Sequence, residues 1–234
     1  WENIGAMMNR GIEVAIDGDI IRMNDFTWNL SANFSYNKNK LLELYNGVEE
    51  YVNSTTGLKY MVGHSVTEYF LNRYAGVNPA NGDALWYTAD GELTTEFRED
   101  DKVMTGKTYE SPWAGGFGTT FIWKGISLSA QFSWMAKRYV MNNDRFFEES
   151  NGIYSTYNQS KRLLYNRWKK PGDITDIPRY DVPAQLDDRF LENTSFLRLK
   201  NLTVAYSLPQ SLLKKSNFFA AARVYLQGQN LLTW

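Results

Sequence analysis

The segment ISLSAQFSW, residues 126–134, alternates apolar and polar side chains without interruption. Its large apolar residues are Ile126, Leu128, Phe132 and Trp134, and its polar residues are Ser127, Ser129, Gln131 and Ser133. A period of two places these sets on opposite faces of a β-strand. A soluble sheet turns such an apolar face towards its core, whereas an outer-membrane barrel turns it towards lipid. The pattern therefore predicts a strand but leaves its orientation open.

Similar alternation, with turn-forming residues between the segments, predicts four hairpins and about eight antiparallel strands. The segment 26–37 places Leu30 and Phe34 on one face and Asn29, Ser31 and Asn33 on the other. The predicted pairs are 9–21 with 26–37, 65–77 with 83–88, 113–125 with 126–134, and 195–209 with 222–234.

One predicted strand, residues 195–209, breaks the alternation. Arg198 and Lys200 precede apolar residues on the same face. Either a bulge near Asn201 shifts the register, or both cations lie beyond the hydrocarbon band of a membrane. The sequence leaves both explanations open.

The connections between the predicted strands alternate in length. Those near residues 23, 80, 125 and 213 are short, whereas 39–63, 89–112 and 141–192 are long, polar and rich in Gly and Asn. Outer-membrane barrels have short periplasmic turns and long extracellular loops. The alternation therefore favours an up-and-down transmembrane β-barrel over a soluble sheet.

The polar faces of 26–37 and 126–134 carry small neutral groups, which suit a wet, enclosed wall better than bulk water. Aromatic residues make up 15% of the chain and cluster near predicted strand ends, as in the girdles at lipid headgroups. We therefore expect one face to contact lipid and the other to line a water-filled lumen. The lipid-facing set is Ile126, Leu128, Phe132, Trp134, Leu30 and Phe34, and the lumen-facing set is Ser127, Ser129, Gln131, Ser133, Asn29, Ser31 and Asn33.

Two alternatives remain. A soluble carbohydrate-binding β-sandwich would use the aromatic residues as a core and would be stable in plain buffer. A complete barrel of about eight strands would require the gene to end close to residue 234.

Composition excludes several functions. The chain has no Cys, so it has no disulfide, thiolate metal site or Cys nucleophile, and His64 is its single histidine. The formal net charge of −1 disfavours nucleic-acid binding. Glu148 and Glu149 are adjacent and would point opposite ways on an extended chain, so they do not form a glycosidase pair. We expect no enzyme activity, cofactor or metal.

The loop 141–192 is the predicted source of specificity. Its aromatic residues lie among Asn, Ser and Arg, a mixture that can stack on sugar rings or bracket a peptide. The alternative is that these rings only pack the loop on itself. The candidates for substrate contact are Phe146, Phe147, Tyr154, Tyr157, Tyr165 and Trp168.

Consecutive blocks of the chain resemble the C-terminal part of the barrel of SusC/RagA-type TonB-dependent outer-membrane transporters. The most specific block is SFLRLKNLTVAYSLP at 195–209 with VYLQGQNLLTW at 224–234. Further blocks are 9–44, YAGVNPANGDALWYTADGE at 74–92, GGFGTTFIWKGISLSAQFSW at 115–134 and RWKKPGDITDIPRY at 167–180.

This resemblance implies a barrel of about 22 strands that encloses an N-terminal plug domain. It also implies a SusD-like surface lipoprotein as partner, energy delivered by TonB, and import of oligosaccharide or peptide across the outer membrane. We expect residues 1–234 to be a fragment of such a protein, without the plug, because the start and the end read as interior positions of a longer chain.

Overall fold

The structure, a computed structural model, describes residues 5–52, 58–154, 156–214 and 218–234. Parts of three predicted connections, namely 53–57, 155 and 215–217, lie outside the described residues. The described chain is mostly β-strand, so the predicted all-β class is confirmed.

The strands are β1 (Gly5–Arg22), β2 (Phe26–Leu44), β3 (Glu50–Val52), β4 (Lys59–Met61), β5 (Glu68–Leu71), β6 (Arg73–Val77), β7 (Ala84–Tyr87), β8 (Leu93–Thr94), β9 (Val103–Thr108), β10 (Trp113–Trp123), β11 (Ile126–Ala136), β12 (Tyr139–Met141), β13 (Leu191–Asn193), β14 (Phe196–Ser207) and β15 (Arg223–Thr233). The helices are α1 (Asn143–Glu148), α2 (Lys161–Tyr165) and α3 (Gln210–Leu213), with 3-10 turns at Tyr45–Gly47, Glu99–Asp101 and Asp188–Phe190.

The chain divides into two compact units. Unit 1 comprises residues 1–8, 40–110 and 139–193, and it holds the short strands with α1 and α2. Unit 2 comprises residues 9–39, 111–138 and 194–234, and it holds most of one long sheet with α3.

The long sheet of unit 2 has six strands in the order β1-β2-β10-β11-β14-β15. Each long strand neighbours the next long strand along the chain, which is up-and-down topology. The sheet is open, because β1 and β15 are its two edges among the described residues. Three connections, at 23–25, 124–125 and 208–222, are shorter than the other two, at 45–112 and 137–195.

A two-residue turn joins β10 to β11. Lys124 and Gly125 have φ of 47° and 87°, the left-handed conformations that a tight hairpin turn requires at both central positions. An added Cβ at Gly125 would lie 2.9 Å from the carbonyl oxygen of Ser207, so glycine also permits a close backbone approach here.

One of the two explanations left open for the broken alternation, a bulge near Asn201, is present in β14. Gln131 of β11 pairs with Asn201, but the next residue, Phe132, pairs with Leu199, so that Lys200 is the extra residue. The pairing of β14 with β15 shifts between the same two residues. The bulge explains the broken pattern, because it returns Leu199 to the face that carries Leu202.

The prediction that about eight strands share one wall is wrong for the described chain. The second predicted hairpin forms as β6 and β7, but in a separate sheet with β8, and β5 pairs with β9 instead. The chain changes partner at Asn72, whose buried side chain donates a 2.7 Å hydrogen bond to the carbonyl of Arg98. Strands of four or five residues are also shorter than the ~9 residues that cross a bilayer.

Unit 1 has its own core. Phe190 and Trp86 are almost fully buried, and Ile177, Leu163 and Leu191 are buried as well. The Phe190 ring packs edge-on against Phe146 at 5.5 Å between centroids. This core connects the two long segments of the unit, 40–110 and 139–193.

Candidate functional site

Apolar side chains share one face of the long sheet from β2 to β15. The register places Phe132 opposite Phe117 in β10 and opposite Leu199 in β14. The Phe117 and Phe132 rings stack at 4.6 Å. All six residues predicted to face lipid lie on this face, namely Ile126, Leu128, Phe132, Trp134, Leu30 and Phe34. The structure therefore brings this predicted set together.

The opposite face is polar along the same strands. Thr120 and Ser129 hydroxyls lie 3.0 Å apart, and the Gln227 amide donates a 3.0 Å hydrogen bond to Oδ1 of Asn201. The register places every residue predicted to face the lumen here, namely Ser127, Ser129, Gln131, Ser133, Asn29, Ser31 and Asn33. Which face meets lipid stays a prediction.

Glycines in β10 make room on both faces. On the apolar face, a Cβ at Gly115 would lie 2.9 Å from the Trp134 indole, so glycine lets that ring lie over the strand. On the polar face, a Cβ at Gly118 would lie 2.8 Å from Oγ of Ser31. A groove of about 520 Å³ passes here, and its lining includes Gln131 and the bulge residue Lys200.

In unit 1, four of the six predicted substrate-contacting residues form one aromatic cluster. Phe147 packs against Tyr154 at 4.9 Å and stacks on Tyr157 at 5.2 Å. Phe146 contacts Phe147 at 5.3 Å. These four rings therefore pack the loop on itself, although Tyr157 keeps half of its surface exposed.

The other two candidates lie apart from that cluster. Tyr165 ends α2 and is 71% exposed. Trp168 lines a groove of about 970 Å³ between the α2 region and residues 179–181, which we call the α2 groove. Trp168 is held in place because its Nε1 donates a 3.2 Å hydrogen bond to the carbonyl of Pro79. Their contact with substrate stays a prediction.

A charged network orders the loop beside the aromatic cluster. Glu149 is buried, and its carboxylate contacts Nε of Arg145 at 3.1 Å and Nη1 of Arg162 at 2.6 Å. Both arginines also reach Asp176. Because a charge buried without a partner is costly, this network fixes α1 and α2 to the segment around residue 176.

A second buried carboxylate lies in the core of unit 1. Asp187 accepts a 2.8 Å hydrogen bond from Nε1 of Trp86, and its other oxygen accepts one from the Arg189 amide at 3.2 Å. Burial raises the pKa of Asp187 to about 6, against the lowering effect of Arg189 and Trp86. Burial likewise raises the pKa of Tyr74 above its ordinary value.

Sequence reasoning missed most of these charged residues. Arg145, Arg162 and Asp176 were not singled out, although Arg145 and Glu149 have the i, i+4 spacing of a helical ion pair. Two cations of the α2 groove, Arg167 and Lys169, flank the predicted aromatic residue Trp168 in sequence, which was an available signal.

The described residues contain no group of three or more His, Asp or Glu arranged to hold a metal ion. His64 instead lies 3.0 Å from Oε2 of Glu68 through its Nδ1. Within the described ranges, no helix has the length and apolar character needed to cross a membrane.

Comparisons with known proteins give a consistent set of relatives. The chain is 29% identical over its whole length to TonB-dependent receptor P3 of Formosa agariphila, of which it covers 25%. It is 27% identical to TonB-dependent receptor SusC of Bacteroides thetaiotaomicron, with 98% of the chain and 23% of SusC aligned. No protein-family model matches the chain.

Among solved structures, the chain is similar to one described as the RagAB peptide transporter. The TM-score is 0.91 and the sequence identity is 36%, and the match covers 100% of this chain and 26% of that one. The chain thus spans about a quarter of the length of each of these relatives.

Proposed function

We propose a role in outer-membrane transport. The premise is that this chain matches part of a SusC/RagA-type TonB-dependent receptor, a resemblance that the comparisons confirm. In this proposal the long sheet is part of a transmembrane barrel wall, and the connections 45–112 and 137–195 belong to the extracellular loops. The complete protein takes up oligosaccharide or peptide, and it makes or breaks no bond.

The observation that carries the proposal is the exposed apolar face of the long sheet. Ile12 in β1 is 64% exposed, Leu128 in β11 is 40% exposed and Leu226 in β15 is 78% exposed. Apolar surface of this extent is unfavourable in water and marks a contact with lipid or protein. A soluble β-sandwich would cover it with a second sheet, whereas a barrel wall leaves it to the bilayer.

The two open edges support the same proposal. Unpaired backbone groups at β1 and β15 would each be costly in hydrocarbon, so a membrane-spanning sheet must close on itself. We propose that strands outside residues 1–234 complete a barrel of about 22 strands around a plug. In the complete protein, TonB would act through the plug.

The names of the relatives support a transport function and a peptide cargo. RagAB is described as a peptide transporter, and SusC is named a TonB-dependent receptor. By analogy, we propose that the complete protein works with a SusD-like surface lipoprotein and receives its substrate from the outside of the cell.

Two measurements test the proposal with the full-length receptor. Recovery from detergent-extracted outer membranes is expected, together with nutrient uptake that is lost when TonB is deleted. Recovery of a stable monomer in plain buffer, or uptake that does not depend on TonB, would contradict the proposal.

A further inference from the structure

The α2 groove in unit 1 carries an excess of positive charge. Lys161, Arg167 and Lys169 all line it, and none of them makes an ion pair with a carboxylate in the described part of the chain. The fourth cation, Arg179, is already balanced, because it contacts Asp83 at 3.0 Å and also pairs with Asp181. Among the described residues, the groove therefore has three cations without an ion-pair partner.

Asp173 is the acidic residue nearest to Lys169 in sequence, and within the described residues it makes no ion pair with the three cations. Asp173 accepts hydrogen bonds from the backbone amides of Lys169 and Lys170, at 3.0 and 3.1 Å. It lines a neighbouring groove, which shares Arg167 and Lys169 with the α2 groove. Like charges that converge on one concave surface raise the local concentration of anions.

The cations stand beside rings that the fold holds in place. The guanidinium of Arg167 lies over the Tyr180 ring, 5.1 Å from its centroid. The Trp168 indole packs against Gly82, where an added Cβ would lie 2.4 Å from Cε3 of that ring. A ligand therefore meets a preorganised wall, which lowers the entropy cost of binding.

The remaining wall is mixed, with Gln159, Ser160 and Asp181 beside two leucines. Leu163 is buried beneath the groove and Leu164 is 64% exposed at it. Carboxylates next to apolar side chains match both the cations and the leucines, and a peptide that contains Glu or Asp supplies this combination.

We propose that the α2 groove binds an acidic peptide segment, with carboxylates held by Lys161, Arg167 and Lys169 and apolar side chains on Leu164 and Trp168. This inference rests on the proposed transport function, of which it specifies the cargo as peptide with negative charge. Bidentate pairing with Arg167 would orient one carboxylate, and the lysines would act as point charges.

The test is calorimetric titration of the intact, detergent-solubilised receptor with a short peptide of leucine and glutamate. Its counterpart has every glutamate replaced by glutamine. The glutamate peptide is expected to bind at least ~10-fold more tightly, and this preference should shrink at high salt because the charges are at the surface. Equal binding of the two peptides, or no binding of either, overturns the inference.

Matched variants locate the site. The double variant Lys161→Gln, Lys169→Gln should lose most of the preference, whereas Lys170→Gln, next to the groove but not lining it, should keep it. Wild-type behaviour of the double variant contradicts the assignment. A galacturonate hexasaccharide that binds more tightly than the glutamate peptide would overturn it in favour of an acidic glycan.

These outcomes are separate from the test of the proposed function. A receptor that fractionates with the outer membrane and depends on TonB, yet ignores peptide charge, would refute the acidic-peptide site alone. A protein that is soluble in plain buffer would refute the transport role, whatever the titration gives.

Discussion

Nε1 of Trp86 donates a 2.8 Å hydrogen bond to Oδ2 of Asp187, across 101 positions of the sequence. Asp187 is completely buried and Trp86 is 4% exposed. The bond joins the β6-β7-β8 sheet of unit 1 to the 3-10 turn that Asp187 caps through the Arg189 amide. A single carboxylate thus holds together two distant segments of unit 1.

The first prediction concerns the pH dependence of this contact. The folded pKa of Asp187 is about 6, above its ordinary value of 3.8. Its stabilising contribution is therefore fully present below about pH 3.8 and lost as the pH rises through about 6, by about 3 kcal/mol in total. The difference in stability between wild type and Asp187→Asn should fall across this window.

Hydrogen exchange of segments 72–77 and 187–191 in the full-length receptor measures this difference, with each variant compared to wild type at the same pH. Asp90→Asn, at an exposed position in unit 1, is the control and should show no such dependence. A constant difference between wild type and Asp187→Asn from pH 4 to 7 would contradict the buried-carboxylate assignment.

The second prediction concerns the charged network. Glu149→Gln removes the negative charge that two arginines share, and leaves both cations without their buried partner. We expect a loss of about 3 kcal/mol of local stability, at the low end for a broken buried pair because the arginines are partly exposed. Faster hydrogen exchange in residues 143–166 should report it. Glu148→Gln, one residue earlier and exposed, should change little, and equal effects would refute the proposed role.

The third prediction concerns Gly82, which has φ of +79° and packs against Trp168. Gly82→Ala should add steric displacement of the indole to a backbone strain of about 1 kcal/mol. Gly91→Ala isolates the strain, because Gly91 has φ of +93° and open space around its Cβ position. Protection of residues 166–169 from exchange should fall only in the Gly82 variant. Identical behaviour of the two variants would mean that the contact with Trp168 is unimportant.

The fourth prediction tests the orientation of the sheet. Phe132→Arg places a cation on the apolar face, at a cost of about 2–4 kcal/mol near the bilayer midplane, whereas Gln131→Arg places it on the polar face. Barrel assembly, followed by heat-modifiable gel mobility of the full-length receptor, should fail or slow only for Phe132→Arg. Equal tolerance of the two variants would count against lipid contact on the Phe132 face.

Alternation in the sequence was sufficient to predict the six long strands and the faces of β2 and β11. In a strand of 11 or more residues, the alternation of side chains indicates which residues share a face, because the side-chain period of a strand is two. The tight turn at Lys124 and Gly125 is equally local, since two left-handed residues suffice to form it. The bulge at Lys200 is visible in the sequence as a break in the alternation of residues 195–209.

Tertiary contacts alone decided the remaining features. Residues 65–77 divide at Asn72 between two short sheets, and the partner of the Asn72 side chain, the carbonyl of Arg98, is 26 positions away. Tertiary contacts also place the substrate candidates in different parts of unit 1. Phe146 and Phe147 pack against other rings, whereas Trp168 packs against Gly82. The burial that shifts the pKa of Asp187 arises from segments about 100 residues apart, and no local pattern in the sequence records it.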